Sequence, residues 1–136
     1  MTESLSLVLF SGTDDRLTAA ATMATGAAAM GRRVDVFLQF WALDAFRADR
    51  IEKDHGVVHE AGPEGAAALR RMGEKGGAHW SELFRQAKDI GELEITACAH
   101  SMEMLELERD DLDPLVTDVI GIAAYMARVD GPVVFI

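Results

Sequence analysis

The chain has 136 residues, of which 49% are apolar, and this composition suits one globular domain with a buried core. Its 13 basic and 23 acidic side chains give a net charge of -10 at pH 7. Such an acidic surface repels phosphate backbones and anionic lipid, which argues against nucleic acid and membrane partners. No apolar run reaches the roughly 20 residues that a bilayer-spanning helix needs.

Apolar runs and turn residues predict strands and helices that alternate along the chain. The predicted elements, in chain order, are a strand at 5–10, a helix at 16–30, a strand at 34–38, a helix at 42–52, a short helix near 64–72, a helix at 80–90, a strand at 93–97, a helix at 101–107, a strand at 116–120, a helix at 121–129 and a strand at 132–136. This order is typical of a single α/β domain over residues 1–136. We expect a three-layer α/β/α sandwich with a mostly parallel sheet of about five strands, of the flavodoxin-like or Rossmann-like kind.

Three local features refine this picture. Asp14 or Asp15 is expected to cap the first helix, whose small residues allow close packing against a sheet or another subunit. Residues 53–79 hold six glycines, one proline and three of the four histidines, and we expect a mobile excursion there. The first residues of the chain include no basic segment, and their apolar run is too short for a secretion signal. The single cysteine cannot form an intramolecular disulfide. A cytoplasmic protein is therefore expected.

Sites in parallel α/β sheets form beyond the carboxyl ends of strands. Three stretches of this chain fall there: residues 11–15, the pair Phe40-Trp41, and residues 98–101. The first has one glycine, no lysine and two acids, so a turn with a helix cap fits Gly12 and its neighbours better than a phosphate loop does. Phe40 and Trp41 are candidates for a pocket wall, or for core or subunit contacts.

Cys98, the only cysteine, has two interpretations. It is a small apolar core residue, or it is a nucleophile activated by the amides of the helix that follows. If the chain stays extended, His100 points the same way and can take or share the thiol proton. Ser101 is expected to cap the helix, and the nearby Glu103 disfavours a thiolate. The four histidines show no metal-site spacing, and no metal or cofactor is expected.

Two stretches resemble the DsrE/DsrF family. The first is SGTDDRLTAAATMATGAAAMGRRVDVFLQFWALDAF, with a strand, an SG-x-x-D turn, a small-residue helix, a second strand and an FW-x-L element in order. The second is ITACAHSMEML followed by DDLDPLV and a helix that begins after a glycine. The resemblance runs from about Leu5 to Met126. It departs at Glu106, where the family has a glycine, so the helix after Cys98 is expected to run on or end differently.

The resemblance implies a compact α/β domain, a homo-oligomer such as a trimer or hexamer, and a role in cytoplasmic sulfur trafficking. In that role Cys98 accepts sulfane sulfur as a persulfide and passes it to another protein, with His100 as a helper. Rhodanese-like or TusA-like carriers are the implied partners. The apolar VVFI at the end of the chain and the small residues of helix 16–30 also suit burial against a neighbouring subunit.

The residues leave two other functions open. One is a non-catalytic oligomeric binding or assembly module of the same fold, in which Cys98 is structural. The other is flavin or nucleotide binding on the sheet, for which the chain carries no recognisable motif.

Overall fold

A computed structural model describes residues 4–136 and contains one sheet of five strands. The strands are β1 (Leu5–Leu9), β2 (Val34–Leu38), β3 (Leu93–Cys98), β4 (Val116–Ile120) and β5 (Val133–Phe135). Their order across the sheet is β4-β3-β2-β1-β5, and each neighbouring pair is parallel. The predicted α/β class and five-stranded sheet are confirmed, and the sheet is parallel throughout the described chain.

Six α-helices connect the strands. They are α1 (Asp14–Ala29), α2 (Phe40–Ala45), α3 (Gly62–Glu74), α4 (Trp80–Ile90), α5 (Ala99–Met104) and α6 (Ile122–Ala127), with two short 3-10 turns at His59–Ala61 and Arg109–Asp111. Among residues 4–136, none of these helices combines the length and the hydropathy that crossing a membrane requires.

The two faces of the sheet build two separate cores, because successive strand side chains point to opposite faces. One face carries the large core, in which Leu7 and Leu9 of β1 pack with residues of α1, α2, α4 and α5. The other face carries a small cluster formed by Val8, Phe37, Cys98 and Tyr125, the last of these from α6. The helical layers on the two faces are therefore unequal. The helices α1, α2, α4 and α5 pack on one face, whereas only the six-residue α6 contributes to the cluster on the other.

Small residues let α1 lie close to the sheet and to α4. Seven α1 residues are buried, five of them alanines, and these are Asp14, Leu17, Ala20, Ala21, Ala24, Ala27 and Ala28. A Cβ added to Gly91, directly after α4, would lie 3.0 Å from the Ala28 side chain. The expected close packing of this helix thus occurs within the chain, against the sheet and α4.

The prediction of a helix over 42–52 is wrong in its bounds. The helix α2 starts at Phe40 and stops at Ala45, because the backbone beyond it bonds to a distant segment. Phe46 O accepts a hydrogen bond from Asp113 N at 2.9 Å, and Ala48 N donates to Asp111 O at 2.9 Å. Those bonds use groups that a continued helix would need.

The expectation that Glu106 changes the end of the helix after Cys98 is also wrong. Glu106 adopts the left-handed conformation, with φ of 55°, that a glycine would favour. Leu107 N donates to Met102 O at 2.9 Å and Glu106 N donates to Glu103 O at 3.1 Å. These two bonds form a Schellman end, so α5 stops where a glycine would stop it.

We expect Glu106→Gly to raise the free energy of unfolding by about 0.5–1 kcal/mol, because it removes the steric strain of a left-handed β-carbon. Denaturant titration measures the change. The matched control is Glu103→Gly, an equally exposed position inside α5, which should lower stability by about 1 kcal/mol. An equal loss at both positions would contradict the left-handed assignment.

Candidate functional site

Cys98 lies at the carboxyl end of β3, beside the strand after which the chain changes faces of the sheet. It ends β3 and pairs in register with Ile120, which ends β4. Beyond β3 the chain turns to the large core, where Met102 of α5 is buried, whereas beyond β4 it turns to the opposite face, where Tyr125 is buried. Ligands of α/β sheets bind beyond the carboxyl ends of the strands, and Cys98 lies at that end of the sheet.

The thiol of Cys98 is the N-cap of α5. Its residue is extended, with φ of -69° and ψ of 119°, and its Sγ accepts a hydrogen bond from Ser101 N at 3.5 Å. The prediction that Ser101 caps this helix is wrong, because the helix begins at Ala99 and Cys98 already fills the cap position. The Ser101 side chain is instead fully buried, and its Oγ has no hydrogen-bond partner within residues 4–136.

Cys98 is only 4% exposed. Its neighbours in the small cluster are Val8, Phe37 and Tyr125, with Ile120 and Val129 packed against them. The Tyr125 ring stacks on Phe37 with centroids 4.6 Å apart. In a single chain, therefore, α6 and the segment around it cover the sulfur.

His100 does not share a strand face with Cys98. The extended geometry that would align the two side chains ends at Cys98, and His100 lies in the first turn of α5. Its exposed ring packs edge-on against Phe40, with centroids 6.2 Å apart. The structure thus joins His100 to the aromatic residue that follows β2.

The turn after β2 is strained. Phe40 has a φ of 38°, in the region that favours glycine, and its ring lies 5.7 Å from that of Phe10. Trp41 is 57% exposed, and its carbonyl oxygen lies so close to Gly12 that an added Cβ would stand 2.3 Å away. Only glycine fits at position 12, because the start of α2 runs directly over the end of β1.

Gly12 and Trp41 line a depression of about 310 Å³ together with Arg50 and His55. Cys98 is not part of its wall. Of the residues that the sequence suggested, the structure therefore groups Gly12 with Trp41, and Phe40 with His100. Ser101 adjoins Cys98 through its backbone N–H.

The structure also contains a cluster centred on Asp14 that the sequence did not predict. The N-cap position of the first helix belongs to Thr13 and not to Asp14 or Asp15, although Asp15 Oδ1 accepts a hydrogen bond from the free first-turn amide of Arg16 at 3.0 Å. The Asp14 carboxylate instead accepts hydrogen bonds from Trp80 Nε1 at 2.8 Å and from His55 N at 2.9 Å. The only sequence signal was the presence of three histidines within residues 53–79, whose spacing fits no metal site and does not indicate this arrangement. Across residues 4–136, no group of three His, Cys, Asp or Glu residues is arranged to hold a metal ion.

Residues 1–69, about half of the chain, match the model of the DsrE/DsrF/DrsH-like family, and Cys98 lies outside the matched residues. YrkE, an uncharacterized protein of Bacillus subtilis (strain 168), is 29% identical over 148 aligned positions, which cover 93% of this chain and 91% of YrkE. The structure of MTH1491, a protein of unknown function from Methanobacterium thermoautotrophicum, superposes with a TM-score of 0.61 over 99% of this chain and 98% of that chain, at 16% identity. At that identity the likeness shows the fold alone.

Tyr125 reports on the helix that covers Cys98. Burial raises the pKa of Tyr125 to about 12, and its hydroxyl donates to Asp35 O at 3.0 Å. The stabilisation from the neutral phenol is complete below the unfolded pKa of about 10 and is lost as pH rises through about 12. The neighbouring charges are Asp35, which raises this pKa further, and Arg128, which lowers it.

Because Tyr125 is the only tyrosine, the ultraviolet absorbance of tyrosinate measures its titration directly. We expect a midpoint near pH 12 in the folded protein and near 10 in denaturant, with circular dichroism recorded in parallel to mark alkaline unfolding. A midpoint near 10 while the protein is still folded would mean that α6 does not hold Tyr125 against the sheet.

Proposed function

Because the chain belongs to the DsrE/DsrF/DrsH-like family, a membership that suggests a sulfur-relay type of function, we propose that it is a sulfurtransferase or persulfide carrier. Cys98 accepts sulfane sulfur and passes it to a partner protein. The observation that carries this proposal is the position of the only cysteine at the carboxyl end of β3, the end of the sheet at which α/β proteins bind ligands.

The surroundings of the sulfur suit this role. The Ser101 N–H donates to Cys98 Sγ and stabilises negative charge on it. The buried Ser101 hydroxyl, in the same turn, lacks a partner within the described chain and is free to donate to a second sulfur atom. His100 is exposed on the same short helix, where it can meet an incoming donor or acceptor.

The chemistry needs one thiol and no added oxidant. The Cys98 thiolate attacks the terminal sulfur of a donor persulfide R–S–SH, a bond forms from Cys98 Sγ to that sulfur, and R–S⁻ leaves with the electron pair of the broken S–S bond. The product is a Cys98 persulfide that keeps the donor's S–H proton. An acceptor thiolate then attacks the outer sulfur, which returns Cys98 to the thiolate.

The burial of Cys98 requires an opening before either step. The cover is thin, because α6 has six residues and Tyr125 is the only one of them that is buried. Segments with few buried side chains open at low free energy while the rest of a protein stays folded. Displacement of α6 would expose the sulfur without disturbing the large core on the other face.

The same burial favours the second candidate function, a non-catalytic oligomeric binding or assembly module in which Cys98 is a packing residue. In that case the thiol packs in the same small cluster as the stacked rings of Phe37 and Tyr125 and never meets a substrate. Sulfur loading separates the two functions.

We expect reduced protein incubated with glutathione persulfide to gain one or more sulfur atoms by intact mass, reversibly with reductant. Cys98→Ser should abolish the gain and keep the fold, because it removes the nucleophile with little change in volume. Ser101→Ala, the matched neighbour, should load but lose the outer sulfur faster. Absence of loading, with a thiol that reacts only after denaturation, would leave Cys98 structural and the family fold unaffected.

The proposed partners are TusA-like or rhodanese-like sulfur carriers in the cytoplasm, where thiols stay reduced. We also propose that the chain forms a homo-oligomer such as a trimer or hexamer. An exposed apolar patch supports this state, and it consists of Ile122 and Met126 on α6 with Val133 and Phe135 on β5. A patch of such side chains is typical of a surface that a partner covers.

Light scattering tests the oligomer. We expect Phe135→Ser to lower the average mass toward that of the single chain, because Phe135 lies on the edge strand β5 and, at 64%, is the most exposed side chain of the patch. Met30→Ser is the matched control, since Met30 is 73% exposed at the end of α1 and outside the patch. A single-chain mass for the unmodified protein at working concentration would contradict the proposal.

A further inference from the structure

The excursion between β2 and β3 borders a half-open cavity of about 370 Å³ on the side of the large core. Helix α3 forms one wall, the first turns of α1 form another, and residues 52–57 and 77–80 complete it. Cys98 belongs to the opposite face of the sheet and does not line this cavity. The volume lies within the range of about 300–1,000 Å³ that small-molecule sites occupy.

Helix α3 turns an incompletely packed face toward the cavity. The lining residues Ala66, Leu69 and Gly73 lie three or four positions apart and so share one face of the helix. No residue of α3 is buried, although helices in proteins gain most of their stability by burying such a face. The excursion is held from its other end, where Asp14 accepts from His55 N and Asp15 accepts from Val58 N.

The opposite wall carries an unsatisfied hydrogen-bond donor. His79 Nδ1 accepts from Ser81 N at 3.2 Å and also lies 2.8 Å from the Ser81 hydroxyl, which can donate to it, so we assign the proton of the neutral ring to Nε2. Burial lowers the pKa of His79 and keeps the ring neutral near pH 7, despite the opposing effect of Asp14. Nε2 is buried and has no hydrogen-bond partner in the described chain. The nearest carboxylate oxygen, Asp14 Oδ1, is 3.9 Å away and already accepts from Trp80 Nε1.

These features define the ligand. Trp80, Leu69 and Val57 offer apolar contact, and an accepting oxygen supplied from the cavity would satisfy His79 Nε2. An anionic acceptor is disfavoured, because it would approach the Asp14 carboxylate beside the same nitrogen. The lining carries two further carboxylates, Glu52 and Asp54, against the two cations Lys53 and Arg70. We propose that this cavity binds a small, neutral, mostly apolar molecule with one hydrogen-bond-accepting oxygen, recognised by His79 and bordered by α3.

The site is tested by titration at neutral pH with three probes of similar size: acetophenone, which has a carbonyl oxygen, ethylbenzene, which has none, and benzoate, which is anionic. The Trp80 indole N–H and the His79 ring signals in NMR spectra report occupancy. We expect saturable binding of acetophenone, binding of ethylbenzene about 10-fold weaker, and benzoate weakest. Failure of acetophenone to bind up to its solubility, or tighter binding of benzoate, overturns the proposal.

Variants locate the site. Gly73→Leu, at a position where an added Cβ meets nothing within 4 Å, and Ala66→Phe should each fill the cavity and abolish acetophenone binding. Ala67→Leu, on the same helix but outside the lining, should leave binding unchanged. His79→Ser keeps an N-cap oxygen for Ser81 N and should weaken acetophenone about 10-fold without affecting ethylbenzene.

Equal binding by the Gly73, Ala66 and Ala67 variants, each checked for folding by circular dichroism, would place the probes elsewhere and overturn the assignment. The titrations are repeated on Cys98→Ser protein, because the cavity requires no part of the sulfur relay. If the Cys98→Ser protein still binds acetophenone and the unmodified chain takes up no persulfide sulfur, the proposed binding site is supported and the proposed sulfur relay is rejected.

Discussion

The parallel alignment of all five strands is the constraint on which the rest of the structure depends. A crossover must join each strand to the next one in the chain, so all the carboxyl ends lie at the same end of the sheet. The crossovers that advance from β1 to β4 lie over the large core, and the connection that returns to β5 passes over the other face. That single change of direction gives the sheet one thick layer and one thin layer, and it places Cys98 beside the transition.

The two proposed sites differ because they lie in different layers. Cys98 is held between strand ends and a six-residue helix, where burial comes from a few side chains around Tyr125. The cavity beneath α3 lies in the thick layer, where a long insertion between β2 and β3 leaves space that no core residue fills. A relay thiol needs intermittent access, whereas a small-molecule site needs a preformed enclosure. The same topology therefore supplies suitable conditions for both without a shared residue.

Much of the fold was predictable from local pattern, and the failures have physical causes. The bounds of β2, α4 and β4 were predicted to the residue, since short apolar runs between turn residues carry enough local information. The early end of α2 was not predictable, because hydrogen bonds to Asp111 and Asp113, more than sixty positions away along the chain, decide it. Local rules also misassigned Ser101, where a thiol took the cap position that favours hydroxyls and carboxylates.

For the candidate sites, the sequence predicted the place of Cys98 but not its burial, which comes from a helix more than twenty residues later in the chain. The cavity could not be predicted from the sequence, because it depends on hydrogen bonds from Trp80 and His55 to Asp14, which is distant from both in the chain. The family model matches only residues 1–69, so the match includes neither Cys98 nor His79.

The pairing of β1 has a consequence for how the chain folds. One neighbour, β2, is close in sequence, whereas the other, β5, joins Ser6 to Val133 near the opposite end. Contacts this distant along the chain form late, because closing the intervening loop is entropically unfavourable. Until β5 arrives, β1 presents an open row of backbone donors and acceptors to other chains. Aggregation during refolding should therefore begin at the exposed edge of β1, in the period before β5 pairs with it.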